Sequence, residues 1–141
     1  MATDFEEIYR YLRLTHYRNL FATISEKPGS LSATEAFSVE VIYLLGEPTL
    51  GEFAKFLGIS QPNASYKVNA LVSKGYITKE ACESDKRECR LIVTAKFQDY
   101  YGSQVPDLSD IMKDFSHEEL AALAKLSSRV ASEISSIIEE E

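Results

Sequence analysis

The chain has 141 residues, 45% of them hydrophobic and 26% charged, with a formal net charge of -7. That length suits one domain with a core of its own, and two cysteines are too few to staple a secreted scaffold. The acidic start, Met1 to Glu7, lacks the order of an export signal, and no apolar run reaches the ~20 residues that span a bilayer, so a cytoplasmic protein without membrane contact is expected.

Helix starts punctuate the chain. Thr3, Ser32, Thr49 and Ser116 are each followed three residues later by glutamate, the pattern of a capping box, in which hydroxyl and carboxylate satisfy free backbone N–H groups reciprocally. The first helix is predicted from Asp4 to Ser25, with Phe5, Ile8 and Leu12 in its apolar stripe. The second runs from Ala33 to Leu45, with Phe37, Val41, Ile42, Leu44 and Leu45 inward, and stops at Gly46 and Pro48. A short third helix covers Leu50 to Leu57, and Gly58 supplies a tight left-handed turn.

Ser60 caps the fourth helix, which reaches Lys74. Strands are expected at Ile77–Cys82 and Arg87–Val93. Thr94 is placed as the cap of a fifth helix, bent or broken near Ser103 to Val105 by Pro106. The last helix, Glu118 to about Glu139, carries a stripe that includes Leu120, Leu123, Val130 and Ile134. The fold class is mainly α with a small β-hairpin wing. Two short helices around a glycine turn, followed by a hairpin, make a winged helix-turn-helix at residues 33–97.

The fourth helix is predicted to turn Ala64, Val68, Leu71 and Val72 to the core. At about 100° per residue, Pro62, Tyr66, Asn69 and Ser73 fall on the opposite side. Asn63, Ser65 and Lys67 flank that strip. No Asp or Glu occurs from Ser60 to Tyr76. Amides, hydroxyls and a lysine without acids suit base edges and phosphates of double-stranded DNA. Charge along the chain agrees. Thr49 to Phe97 holds eight cations against five anions, and the flanks hold seven against seventeen. A mildly basic middle between acidic ends can accept a polyanion locally.

From Thr49 to Thr94 the chain resembles the MarR family of bacterial transcriptional regulators. The matching segments are Thr49–Ser60, Val68–Ile77 and the Asp85-Lys86-Arg87 tip. The resemblance implies a single MarR-like domain over residues 1–141, with 1–30 and 98–141 as helical dimerisation regions. It implies a homodimer on a pseudo-palindromic operator, probing DNA with Ser60, Gln61, Pro62, Asn63, Ser65, Tyr66, Lys67 and Asn69. In the wing, Arg87 would enter the minor groove, oriented by Asp85, with Lys86 and Arg90 on phosphates. It also places an effector pocket between the dimer helices and the DNA-binding lobe, for which Arg13, His16 and Tyr17 are the candidates here. Three positions depart from the family pattern. Val93 precedes Thr94, Phe97 stands at a glycine position, and Tyr66 replaces a frequent arginine.

Cys82 and Cys89 would face each other across the hairpin if Asp85-Lys86 were the turn, within disulfide reach. A thiol-based redox regulator is therefore one alternative, and a winged-helix module that binds protein is another. No phosphate loop or nucleophile elbow occurs, so neither an enzyme nor a cofactor is expected. His16 and His117 are far apart in sequence, and no metal site is expected.

Overall fold

The computed structural model describes residues 2–24, 28–83, 88–101 and 107–139. The chain forms two compact units, Met1–Gln104 and Val105–Glu141. The first contains α1 (Ala2–Thr23), α2 (Ala33–Leu45), α3 (Leu50–Leu57), α4 (Gln61–Ser73), β1 (Ile77–Ala81), β2 (Cys89–Val93) and α5 (Ala95–Tyr101). The second contains the short α6 (Ser109–Met112) and the long α7 (His117–Glu139). A mainly helical fold with a two-stranded antiparallel wing is what the sequence predicts.

Three of the four predicted capping boxes are built. At α2 the Glu35 N–H donates to Ser32 Oγ at 3.3 Å, and Ser32 N–H donates back to Glu35 Oε2 at 2.7 Å. Thr49 and Glu52 repeat the exchange at α3, and Ser116 and Glu119 repeat it at α7. The fourth falls at Thr3, where α1 is already under way from Ala2. Thr94 stands where it is predicted, immediately before α5, and its carbonyl accepts from the Gln98 N–H at 3.2 Å. Its hydroxyl donates to the Gly75 carbonyl at 2.7 Å. The expected bend at Ser103 to Val105 lies outside the described residues.

The core of the first unit gathers one stripe from each element. Ala36, Val39 and Ile42 come from α2, Phe53 and Ala54 from α3, and Ala64, Val68 and Leu71 from α4. Ile77, Leu91 and Phe97 close it from the wing and α5. The predicted phase of α2 is corrected here. Phe37 is 47% exposed and Leu44 70% exposed, while Ala36, Val39 and Ile42 are buried. Apolar residues occupy every side of α2, so periodicity alone does not select a face. The i, i+3 row that meets α3 and α4 is decided by packing.

The loop between α2 and α3 joins the sheet. Gly46 and Glu47 are both left-handed, with φ of 69° and 61°. For Glu47 that conformation costs roughly 1 kcal/mol. The surroundings hold it in place. The Glu47 carbonyl accepts from Arg90 Nη1, and the Pro48 carbonyl accepts from the Leu91 N–H, both at 2.9 Å. Thr49 bridges Arg90, so the loop lies along β2 as a third, minimal strand.

In the second unit α7 is exposed on almost every side; among its described side chains only Leu120 and Val130 are half-buried. Leu108, Ile111, Met112 and Phe115 meet Leu120 and Leu123 in an apolar groove between α6 and the start of α7. α6 has no counterpart in the predicted elements, because four residues are too few to show a period.

Candidate nucleic-acid interface

α4 is presented by the two elements before it. α3 ends in Gly58, whose φ of 63° turns the chain sharply, and its N–H closes back onto the Lys55 carbonyl at 3.1 Å. A β-carbon in that conformation is strained, which makes glycine the natural residue there. Ser60 then caps α4 by accepting from the Asn63 N–H, and Pro62 sits in the first turn where its missing donor costs nothing. Ala64, Val68 and Leu71 have no exposed surface, so the helix is locked on its axis. Val72, predicted inward, is 37% exposed, because the buried row continues through Leu71.

The opposite side is the strip predicted from the sequence. Pro62, Tyr66, Asn69 and Ser73 are exposed, as are Gln61 and Asn63, while Ser65 and Lys67 are half-buried. Tyr66 projects furthest, at 79% exposed. Ser73 turns its hydroxyl back to the Ala70 carbonyl at 2.8 Å. Asn69 is engaged as well, accepting from Lys79 Nζ of β1 at 2.6 Å.

The far end of α4 is clamped by lysines. Lys74 Nζ donates to the Ser30 carbonyl and to Glu35 Oε2, each at 2.7 Å. Lys96 Nζ donates to the Lys74 carbonyl at 2.7 Å and stands 4.4 Å from the Tyr76 ring centroid. Partial burial pushes the Glu35 carboxyl upward, but the hydrogen bonds from Lys74 and Ser32 outweigh it and hold the group below its usual range. Two lysines of the basic middle thus brace the end of α4.

The wing is built on the register Ile77↔Val93 to Ala81↔Cys89. Asp85, Lys86 and Arg87 lie outside the described residues. Arg90 is exposed, and one of its nitrogens bonds the Glu47 carbonyl, so this candidate phosphate contact also has a structural role. The predicted facing of Cys82 and Cys89 is corrected. Cys89 opposes Ala81, and the Cys82 N–H donates to the Glu88 carbonyl at 3.0 Å. Neighbouring residues of a strand point to opposite faces, so a one-residue offset separates the two thiols. Both cysteines are free, Cys82 buried and Cys89 half-buried.

The predicted effector cluster is divided. Arg13 sits between two tyrosines on the exposed face of α1, 5.6 Å from the Tyr9 ring and 5.7 Å from Tyr17. Tyr9, Arg10, Arg13, Leu14 and Tyr17 line a shallow depression there. His16 turns away from it, with Nδ1 3.1 Å from Oε1 of the buried Glu40 on α2. Sequence reading missed both Glu40 and Lys79. Glu40 lacks any local signal. Lys79 was detectable, since it lies two residues after the buried Ile77 and shares its face of the strand.

A glycine-turned helix pair, a core-locked helix without acids and an adjoining hairpin define a winged helix-turn-helix. Residues 31–89 match the model of the MarR family. Solved structures share the fold over almost the whole chain. A mutant MepR from a multidrug-resistant S. aureus clinical isolate is 14% identical, with 94% of this chain and 96% of that one covered and a TM-score of 0.60. A MarR family protein from Bacillus stearothermophilus is 14% identical, with 95% of each chain covered and a TM-score of 0.55. A MarR-like transcriptional regulator from Thermotoga maritima is 21% identical, covering 92% of this chain and 95% of that one, with a TM-score of 0.52. The match to the MarR family model runs from just before α2 to the start of β2, and beyond it the likeness to these proteins is one of fold.

Proposed function

We propose that the chain is a homodimeric, sequence-specific repressor that acts in the cytoplasm by occupying a pseudo-palindromic operator. The observation that carries this reading is the exposed strip of α4. It is free of acids, is rich in amides and hydroxyls, and is held by a helix whose other face is fully buried. Each protomer places α4 in a major groove, with two half-sites about one helical turn apart. Ser60, Gln61, Asn63, Ser65, Tyr66 and Lys67 meet bases and phosphates, and Pro62 sets the approach of the first turn. In the wing, Arg87 reaches the minor groove beside Asp85, and Lys86 and Arg90 meet phosphates.

The dimer is supported by unburied apolar surface. α1 exposes Phe5, Ile8 and Leu12, and α7 exposes Leu123, Leu126, Ile134 and Ile137. Soluble chains rarely leave apolar surface on this scale uncovered, and a second copy is the self-complementary partner. Release by a small-molecule or chemical signal completes the proposal. A ligand that binds better to a conformation with a different spacing of the two α4 helices draws the dimer off its operator. The depression around Arg13 and Tyr17, with cations beside phenol rings, suits an anionic or phenolic compound.

Gel shifts across a salt series with promoter fragments from the regions flanking its own gene test the reading. Selective binding that weakens steeply with salt is expected. Arg87→Ala should cost about 1–3 kcal/mol of binding. Absence of binding at low salt, or indifference to both sequence and Arg87, would sink the proposal.

A further inference from the structure

Lys79 is absent from the interface predicted from the sequence, yet it is joined to the exposed strip of α4. Its place follows from the strand register. Ile77, Lys79 and Ala81 share one face of β1, and the buried Ile77 marks that face as the one packed against the core and α4. Lys79 therefore rises beside the helix, and its Nζ stands 2.6 Å from Oδ1 of Asn69. An ammonium group only donates hydrogen bonds, so only the carbonyl end of the amide can face it. The amide is thereby oriented, with Oδ1 toward the wing and Nδ2 away from it.

We infer that Lys79 is a positioning residue for sequence readout, holding the Asn69 amide with its N–H donors toward DNA so that the base facing Asn69 must offer an acceptor. The inference rests on the reading of α4 as the major-groove helix. An unconstrained asparagine can rotate its amide and present either end, which tolerates any base. Held from the wing, it presents donors. Guanine, adenine and thymine all carry an acceptor in the major groove, whereas cytosine shows only its N4 donor. The ammonium beside the amide adds positive potential that disfavours the same amino group. The Lys79–Asn69 pair thus discriminates against cytosine at one position in each half-site. The wing strand thereby sets a base preference from behind the helix.

Binding of the full chain to an operator library, randomised one position at a time, tests this. Wild-type protein should exclude cytosine at one symmetric position. Lys79→Met keeps the side-chain length and removes the donor, and it should shrink that exclusion by about tenfold. Lys79→Arg still donates and should preserve the wild-type order of bases. Asn69→Ala should flatten the same position, and adding Lys79→Met to it should flatten nothing further. Uniform weakening on all sequences with the preference intact would make Lys79 a phosphate contact and overturn the inference, as would additive effects of the two substitutions. A wild-type chain that selects no operator at all would instead overturn the DNA-binding reading itself.

Discussion

Glu35 spends one carboxylate on two tasks. Its Oε2 caps α2 through the Ser32 N–H and receives Lys74 from the end of α4, so a local helix signal doubles as a tertiary clamp. The group titrates below its usual range in the folded chain. A carboxyl depressed on folding contributes stability that is present above its unfolded pKa and is lost as pH falls through the folded one. Thermal melts below neutral pH should therefore show a loss that Glu35→Gln removes, on the order of 1 kcal/mol for a half-buried pair. Equal acid sensitivity in the variant and the wild type would show that the clamp contributes nothing. Arg90 offers a second residue-scale test, because its two roles predict different readouts. As the brace of Glu47, Arg90→Met costs about 1 kcal/mol of folding stability. As a phosphate contact, the same change lowers the salt slope of operator binding by about one. Melting and binding measured on one variant separate the two contributions.

At the scale of elements, α4 is divided between a side that holds it to the core and an exposed side proposed to read DNA. Val68 is fully buried between α4 and its neighbours, and Tyr66, two residues away, is almost wholly free. Val68→Ala should destabilise the fold by about 2 kcal/mol through lost burial and a cavity. Tyr66→Ala should leave the melting temperature within error and weaken operator binding. The reverse pattern would mean that the helix is rotated from the orientation described. The hairpin carries its own prediction. Because the register separates Cys82 from Cys89, mild oxidation of the folded protein should yield no disulfide between them in mass spectra. Forming that bond would require the wing to slip by one residue.

For the whole molecule, the uncovered apolar rows of α1 and α7 outweigh any single pocket. Replacing Ile134, exposed on α7, with arginine puts a charge into the surface proposed to pair with a second copy. Sedimentation should show the wild type as a dimer and Ile134→Arg shifted toward monomer, with operator binding lost in parallel. A wild-type monomer in sedimentation would remove the two-fold operator from the proposal. The chain's acidity is consistent with this arrangement. Its anions lie mostly outside Thr49 to Phe97, so the -7 net charge does not describe the surface proposed to meet DNA.

Local chemistry determined a good deal by itself. Ser32, Thr49, Ser60 and Ser116 mark helix starts because the groups that satisfy a first turn lie within three residues of one another. Gly58 and the buried row of α4 were legible for the same reason, as was the acid-free strip, which needs only helical geometry. Tertiary structure decided what depends on distant partners. The buried face of α2 had no preferred phase until α3 and α4 packed on it. The cysteine offset depended on the hairpin register, which a loop of uncertain length leaves open. Phe97, at a position where the family resemblance suggests glycine, proved to be a core residue beside the Tyr43 ring, 5.4 Å between centroids. The lysines show the same division most clearly. Their charge could be counted from the sequence, but Lys74, Lys79 and Lys96 acquired roles only when folding brought the Glu35 carboxylate, the Asn69 amide and the end of α4 within hydrogen-bond reach.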